Sequence, residues 1–174
     1  MNTANKLTMF RIVLIPVFFA VLYIGFEGSS YTAMSVFIVA GLTDIADGYI
    51  ARSLRQVTDF GAFMDPIADK ILVFSAMLWF LDQGVLPAWM VLIVIVRDFS
   101  VTALRLVAAR NGRVIAADLS GKIKTVVTML SMIVLFLPLR QWMITACIAA
   151  VTVTTLVSGV EYFYKNRDLL NFSK

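Results

Sequence analysis

Six long apolar runs constrain this chain more than any other feature of its sequence. They cover approximately residues 7–26, 31–54, 60–81, 86–109, 120–139 and 142–164. Each run is close to the ~20 residues that an α-helix needs to cross the hydrocarbon core of a bilayer. Hydrophobic residues make up 60% of the chain and charged residues 15%, against roughly 45–50% and about 25% in soluble domains. The sequence therefore predicts an all-α, polytopic membrane protein with six transmembrane helices.

Short breaks separate the runs, and Gly, Pro, Asn and Asp in these breaks indicate turns. No break has the length or composition of a linker between domains, so we expect a single membrane-embedded domain over residues 1–174. The last run is rich in Ala, Thr and Ser, which favours close helix packing or a dimer interface. The residues at the end of this run, Tyr162, Phe163, Tyr164 and Lys165, are typical of an anchor at a membrane surface.

Basic residues indicate how the helices are oriented. With six spans both termini lie on the same side, and that side receives most of the lysines and arginines: Lys6, Arg52, Arg55, Arg110, Arg113, Lys122, Lys124, Lys165, Arg167 and Lys174. The opposite side receives Arg140 with the acids Glu27 and Asp82. Because basic loops remain in the cytoplasm, we expect a protein of the cell (inner) membrane with both termini on the cytoplasmic side. The end of the second run and the start of the third, which carry four aspartates, should lie on that side too.

Four aspartates interrupt the second and third apolar runs. Asp44 and Asp47 are three positions apart, and Asp65 and Asp69 are four apart, so each pair shares one face of a helix. The short connection predicts antiparallel helices whose acids converge on one cavity. Each ionised acid near the middle of a membrane costs at least ~2.5 kcal/mol, which a bound cation or protonation would relieve. The chain has no histidine, so oxygen ligands would select magnesium, manganese or calcium.

Two other interpretations of these acids remain open. They could be polar residues at helix ends, or they could form a proton or cation relay in a transporter. The sequence has no inverted repeat and no interrupted pair of helices of the kind that transporters use. Nothing in it indicates a nucleic-acid partner.

The acids belong to a longer pattern, D-x-x-D-G-x-x-A-R-x8-G-x-x-x-D-x-x-x-D. The sequence matches it without departure at Asp44, Asp47, Gly48, Ala51, Arg52, Gly61, Asp65 and Asp69. This pattern resembles the signature of the CDP-alcohol phosphatidyltransferase family, and the six-run organisation is also similar to that family.

The resemblance implies an enzyme that uses CDP-diacylglycerol and an alcohol, releases CMP, binds one or two Mg²⁺ or Mn²⁺ ions and works as a homodimer among membrane lipids. It implies that Asp44, Asp47, Asp65 and Asp69 are metal ligands and that Asp69 is also the general base. It further implies that the CDP group is bound by Gly48, Ala51, Arg52 and Gly61. Metals that stabilise attacking and leaving oxygens, and an acid that accepts the hydroxyl proton, suit such a transfer.

The N-terminal segment NKLTMFR adds three candidate CDP-binding residues, Asn5, Thr8 and Arg11. They recur every three positions and can share one side of the first helix. Family members commonly carry N-x-x-T-x-x-R here. The alternative is a helix cap at Asn5 and an arginine that extends to the membrane surface.

Basic residues in the second half of the chain predict an anionic acceptor. Charges inside a membrane usually pair or line a cavity, and neighbours such as Arg97 and Asp98 point in different directions on a helix, so they need not pair. The stretch RD…R followed by AA…GKIKT is similar to family members whose acceptor is sn-glycerol 3-phosphate. The candidate phosphate-binding residues are Arg105, Lys122 and Lys124, then Arg110, Arg97 and Thr125. Inositol phosphate, serine and phosphatidylglycerol remain alternative acceptors.

Overall fold

The computed structural model describes the backbone at residues 3–53, 59–110, 115 and 118–170, and side chains at 9–43, 67, 70–109, 115 and 118–168. Within these ranges the chain forms six α-helices and no strand. The helices are α1 (Thr3–Ile24), α2 (Ser29–Ser53), α3 (Asp59–Asp82), α4 (Ala88–Arg110), α5 (Leu119–Leu135) and α6 (Gln141–Lys165). A short 3-10 helix, Arg167–Leu170, follows α6. The prediction of an all-α chain is confirmed.

The six helices coincide with the six apolar runs, with one clear difference in α5. The run was predicted to extend to residue 139, but the helix ends at Leu135. Its last turn tightens, because the backbone N–H groups of Phe136 and Leu137 bond carbonyls only three residues back. Pro138 disfavours helical geometry at Leu137, the residue before it, so the helix ends although the sequence stays apolar.

The described chain divides into two compact units. The first comprises Met1–Trp79 and Met132–Pro138, and the second comprises Phe80–Ser131 and Leu139–Lys174. The prediction of a single domain is not tested by this division and stays a prediction.

Aromatic packing forms the core of the first unit. Phe18 of α1, Phe37 of α2 and Phe136 are all buried, with ring centroids 6.0–6.4 Å apart. These separations fall within the range of favourable aromatic pairs. The contacts join α1, α2 and the segment after α5.

Packing of α4 against α6 forms the core of the second unit. Val101 and Leu104 on α4 and Tyr162 on α6 make one buried cluster, with Ile115 and Phe163 packed against it. The outer faces of both helices are apolar and exposed, as at Leu92, Phe99 and Val160. Exposed apolar surface of this extent is typical of contact with lipid or another protein.

Of the helices in the described ranges, α6 alone is long and apolar enough to cross a membrane. The apolar stretches described for α1 and α2, Met9–Ile24 and Ser29–Thr43, are shorter. Charged residues such as Arg97 and Asp98 interrupt α4. The prediction of six membrane spans is therefore not confirmed.

The end of α3 shows why the chain turns at this position. The N–H of Gly84 bonds the Leu81 carbonyl, and the N–H of Val85 bonds the Phe80 carbonyl at 2.9 Å. This pair of bonds is the Schellman motif, which needs a left-handed residue just after the helix. Gly84 supplies it with φ of 69°.

Replacing Gly84 with alanine is expected to lower the free energy of unfolding by about 1–2 kcal/mol, because a Cβ is strained in the left-handed region. The new methyl group meets no neighbouring atom, so backbone strain is the only cost. Thermal unfolding in detergent measures the effect, with the exposed neighbour change Gln83→Ala as control. Equal stability of the two variants would contradict this account.

Candidate active site

The acidic pattern falls on two helices of the first unit. Positions 44 and 47 lie in α2, and positions 65 and 69 lie in α3. The helical spacing on which the prediction of paired acids depends is therefore present. The side chains of the whole pattern lie outside the described ones, namely Asp44, Asp47, Gly48, Ala51, Arg52, Gly61, Asp65 and Asp69. Their metal and CDP contacts stay predictions.

A metal centre elsewhere in the described part of the chain finds no support. Among the described side chains no group of three Asp, Glu, Cys or His residues could hold a metal ion. The acids of α2 and α3 thus remain the candidate ligands. An all-carboxylate set without histidine suits hard cations such as Mg²⁺ or Mn²⁺.

Arg11 is fully buried inside the first unit, with an exposed fraction of 0%. A guanidinium that reached a membrane surface would remain exposed at its tip, so this burial argues against that alternative. A buried cation is retained where partners or a ligand compensate its lost hydration. Asn5 and Thr8 lie in α1, and their side chains are outside the described ones.

Asp98 is the centre of a buried ionic network in the second unit. Its carboxylate accepts two hydrogen bonds from Lys124 Nζ of α5, at 2.9 Å to Oδ1 and 2.7 Å to Oδ2. Oδ1 also accepts a hydrogen bond from Arg97 Nη1 at 3.0 Å. The side chain of Lys124 is only 5% exposed. Two cations therefore share one carboxylate, which leaves the trio with a net charge of +1.

The expectation that Arg97 and Asp98 need not pair was wrong. Adjacent helix positions do diverge at Cβ, but the long arginine side chain folds back to the neighbouring carboxylate. Its other terminal nitrogen, Nη2, donates to the hydroxyl of Ser158 on α6. Arg97 thus joins α4 to α6, while Lys124 joins α5 to α4.

Glycines make room for Arg97 between its neighbours. A Cβ at position 159 of α6 would lie 3.3 Å from Arg97 Cγ, which is tighter than most such contacts. A Cβ at position 121 of α5 would lie 3.5 Å from Arg97 Nη2. Ser158, Gly121 and Gly159 were not predicted from the sequence as site residues. The signal was the pair of adjacent small residues, Ser158 and Gly159, near the end of the last apolar run.

Arg105 is exposed on α4, and its side chain contacts Tyr162 of α6. Its Nε donates to the hydroxyl of Tyr162 at 3.1 Å, and its guanidinium carbon lies 5.6 Å from the centre of the Tyr162 ring. The interpretation of Tyr162 as a membrane-surface anchor was wrong, because this side chain is buried, with 2% of its surface exposed. Its neighbour Tyr164 is 70% exposed. Tyr162 and Tyr164 are two positions apart on α6, so the helical period places them on different faces, one buried and one exposed.

The remaining acceptor candidates differ in what they can donate. Lys122 is exposed on α5. The hydroxyl of Thr125 already donates to the carbonyl of Gly121 at 3.0 Å, so it can offer a ligand only its lone pairs. Arg110 is the last residue of α4, and its side chain lies outside the described ones. Arg105 and Lys122 are thus the positively charged candidates among the described side chains that are exposed.

Comparison with known proteins identifies the class. Residues 1–157 match the family model of the CDP-alcohol phosphatidyltransferases, so the chain belongs to that family. It is accordingly a transferase. The family is membrane-associated and generally depends on a divalent metal.

Three curated relatives have similar sequences along most of their length. The CDP-diacylglycerol–glycerol-3-phosphate 3-phosphatidyltransferase of Bacillus subtilis is 39% identical over 99% of this chain and 98% of its own. The Escherichia coli protein of the same name is 37% identical over 98% of each chain. A probable phosphatidylglycerophosphate synthase of Mycobacterium tuberculosis is 39% identical over 92% of this chain and 79% of its own.

Proposed function

We propose that this protein transfers the phosphatidyl group of CDP-diacylglycerol to sn-glycerol 3-phosphate, forming phosphatidylglycerophosphate and CMP in the biosynthesis of phosphatidylglycerol. The observation that carries the choice of acceptor is the near full-length similarity to relatives named for glycerol 3-phosphate. The exposed cations Arg105 and Lys122 support it, because a phosphate monoester needs positive hydrogen-bond donors.

The reaction exchanges one phosphorus–oxygen bond for another. The acceptor hydroxyl oxygen bonds to the phosphorus nearest the diacylglycerol, and the bond from that phosphorus to the CMP oxygen breaks. Asp69 takes the hydroxyl proton, since a carboxylate within hydrogen-bond reach can act as a general base. Asn5, Thr8, Arg11, Gly48, Ala51, Arg52 and Gly61 bind the CDP group in this proposal.

Asp44, Asp47, Asp65 and Asp69 would hold one or two Mg²⁺ or Mn²⁺ ions. A bound cation would supply charge neutralisation at the pyrophosphate oxygens. The family's general dependence on divalent metal supports this assignment. In this proposal all four carboxylates would hold the ion, and Asp69 would also accept the hydroxyl proton.

The basic residues divide into two groups in this proposal. Arg105 and Lys122 bind the acceptor phosphate directly, because both residues are exposed on their helices, α4 and α5. Arg97 and Lys124 do not contact the acceptor directly in this proposal. Both are hydrogen-bonded to Asp98, and they add positive charge to the acceptor site. Thr125 contributes at most as an acceptor, and Arg110 adds positive charge at the end of α4.

The cellular setting follows from the same proposal. Six helices cross the inner membrane, with both termini and the aspartates on the cytoplasmic side, where CDP-diacylglycerol and glycerol 3-phosphate can both be reached. The family's membrane association supports this arrangement. The enzyme acts as a homodimer in contact with membrane lipids.

The acceptor is tested by CMP release from purified protein in detergent. With CDP-diacylglycerol and Mg²⁺ or Mn²⁺, we expect the fastest release with glycerol 3-phosphate, slower release with inositol phosphate, and at most about a hundredth of the rate with inositol or serine, which have no phosphate. A site built to hydrogen-bond a charged group discriminates strongly against acceptors that lack it. A chelator should abolish release.

Two other outcomes would change the proposal in different ways. Faster release with another alcohol would retain the aspartate mechanism and overturn the choice of acceptor. No release with any acceptor from folded protein, together with ion flux in liposomes, would favour a transporter.

A further inference from the structure

Tyr162 is held rigidly where α6 ends. Its ring packs against Val101 and Leu104 of α4 in a buried cluster. Its backbone carbonyl accepts two hydrogen bonds from Asn166, at 2.8 Å from Nδ2 and 3.2 Å from the backbone N–H. Both the side chain and the main chain of this tyrosine are therefore held in place, so its hydroxyl can fix the position of a side chain that bonds to it.

The side chain of Arg105 bonds to this hydroxyl, and the contact engages only the Nε side of its guanidinium. The hydroxyl of Tyr162 accepts from Nε, and the ring attracts the guanidinium through its π face. The two terminal nitrogens have no protein partner among the described residues. Those nitrogens form the fork with which arginine binds phosphate in two parallel hydrogen bonds.

Restraint of this kind matters because an exposed arginine is mobile. Its side chain samples many rotamers, and part of this freedom is lost when it binds a ligand. A side chain that is already aligned loses less, so the affinity for the ligand rises. The hydroxyl of Tyr162 removes this freedom before the ligand arrives.

We propose that Tyr162 is a positioning residue that aligns the guanidinium of Arg105 for the phosphate group of the acceptor. This inference rests on the proposed function, in which Arg105 binds that phosphate. It adds a residue of α6 to the acceptor site and assigns the tyrosine hydroxyl a role distinct from the packing of its ring.

The test compares Tyr162→Phe with the matched control Tyr164→Phe. The first variant loses the hydroxyl and keeps the buried ring, whereas Tyr164 is exposed beneath Arg167, 5.2 Å from its guanidinium. We expect Tyr162→Phe to raise KM for glycerol 3-phosphate about fivefold to tenfold, the size of the net contribution of one ordinary hydrogen bond. KM for CDP-diacylglycerol and the thermal unfolding temperature should stay the same, and the control should match wild type.

A double-mutant cycle with Arg105→Gln separates positioning from general packing. Because Tyr162 acts through Arg105, Tyr162→Phe should have no further effect on KM in the Arg105→Gln background. Equal effects in both backgrounds, or an unchanged KM in Tyr162→Phe, would overturn the inference. Wild-type protein that releases no CMP with glycerol 3-phosphate would overturn the proposed function as well, so the two failures are distinguishable.

Discussion

Replacing Asp69 with asparagine is expected to reduce CMP release by about a thousandfold, within the range that a general base contributes. The amide has nearly the same size as the carboxylate but cannot accept the hydroxyl proton, and it is a poorer metal ligand. Asp65→Asn should have a comparable effect through the metal alone. The rate of CMP release from purified protein, at saturating substrates and Mn²⁺, measures both.

The unfolding temperature of each variant shows whether lost activity reflects a missing catalytic group or an unfolded protein. Neutralising one of several close carboxylates removes like-charge repulsion, so neither variant should unfold at a lower temperature than wild type in the absence of metal. Asp82→Asn is the matched control, because Asp82 is an exposed acid at the end of the same helix, α3. Full activity in both Asp65→Asn and Asp69→Asn would refute the assignment of the site.

Replacing Asp98 with leucine is expected to lower the free energy of unfolding by about 3–5 kcal/mol, the usual cost of breaking a buried ion pair from one side. Arg97 and Lys124 would then keep their charges without the carboxylate that both of them bond. Thermal or denaturant unfolding in detergent measures the loss. Activity should fall together with stability, because the network joins α4 and α5, the helices that carry Arg105 and Lys122.

The double variant Asp98→Leu with Lys124→Met tests the cause of this loss. It removes one of the two charges that Asp98→Leu deprives of their shared carboxylate, so it should recover part of the lost stability. Asp118→Asn is the control, because the pair of Asp118 with Lys165 is exposed and 3.4 Å long. A pair of that kind contributes about 0–1 kcal/mol. Similar losses in Asp98→Leu and Asp118→Asn would show that burial of the network is not the reason.

The sequence predicted the helices well because their ends carry local signals. The break LDQGVLP contains the glycine that ends α3 and the proline that precedes α4, and both act within a few residues. The end of α5 was missed because the last residues before Pro138 are as apolar as the helix itself. Hydropathy alone cannot separate a helix from an apolar turn.

Contacts between helices could not be predicted from the sequence in the same way. Asp98 and Lys124 are 26 positions apart, and Arg105 and Tyr162 are 57 apart. Periodicity places a residue on a face of its helix, but it does not say which helix covers that face. Tyr162 was assigned to a membrane surface because its aromatic neighbours suggested it, whereas packing against α4 determines its position.

The order of synthesis gives the Asp98 network one more consequence. The chain is made from its N-terminus, so Arg97 and Asp98 leave the ribosome before Lys124 and well before Ser158. A nascent α4 can therefore pair its two charges with each other, but the carboxylate gains its second cation only when α5 has emerged, and Arg97 gains its hydroxyl partner only with α6. The second half of the protein thus completes its polar contacts only after α6 has been made.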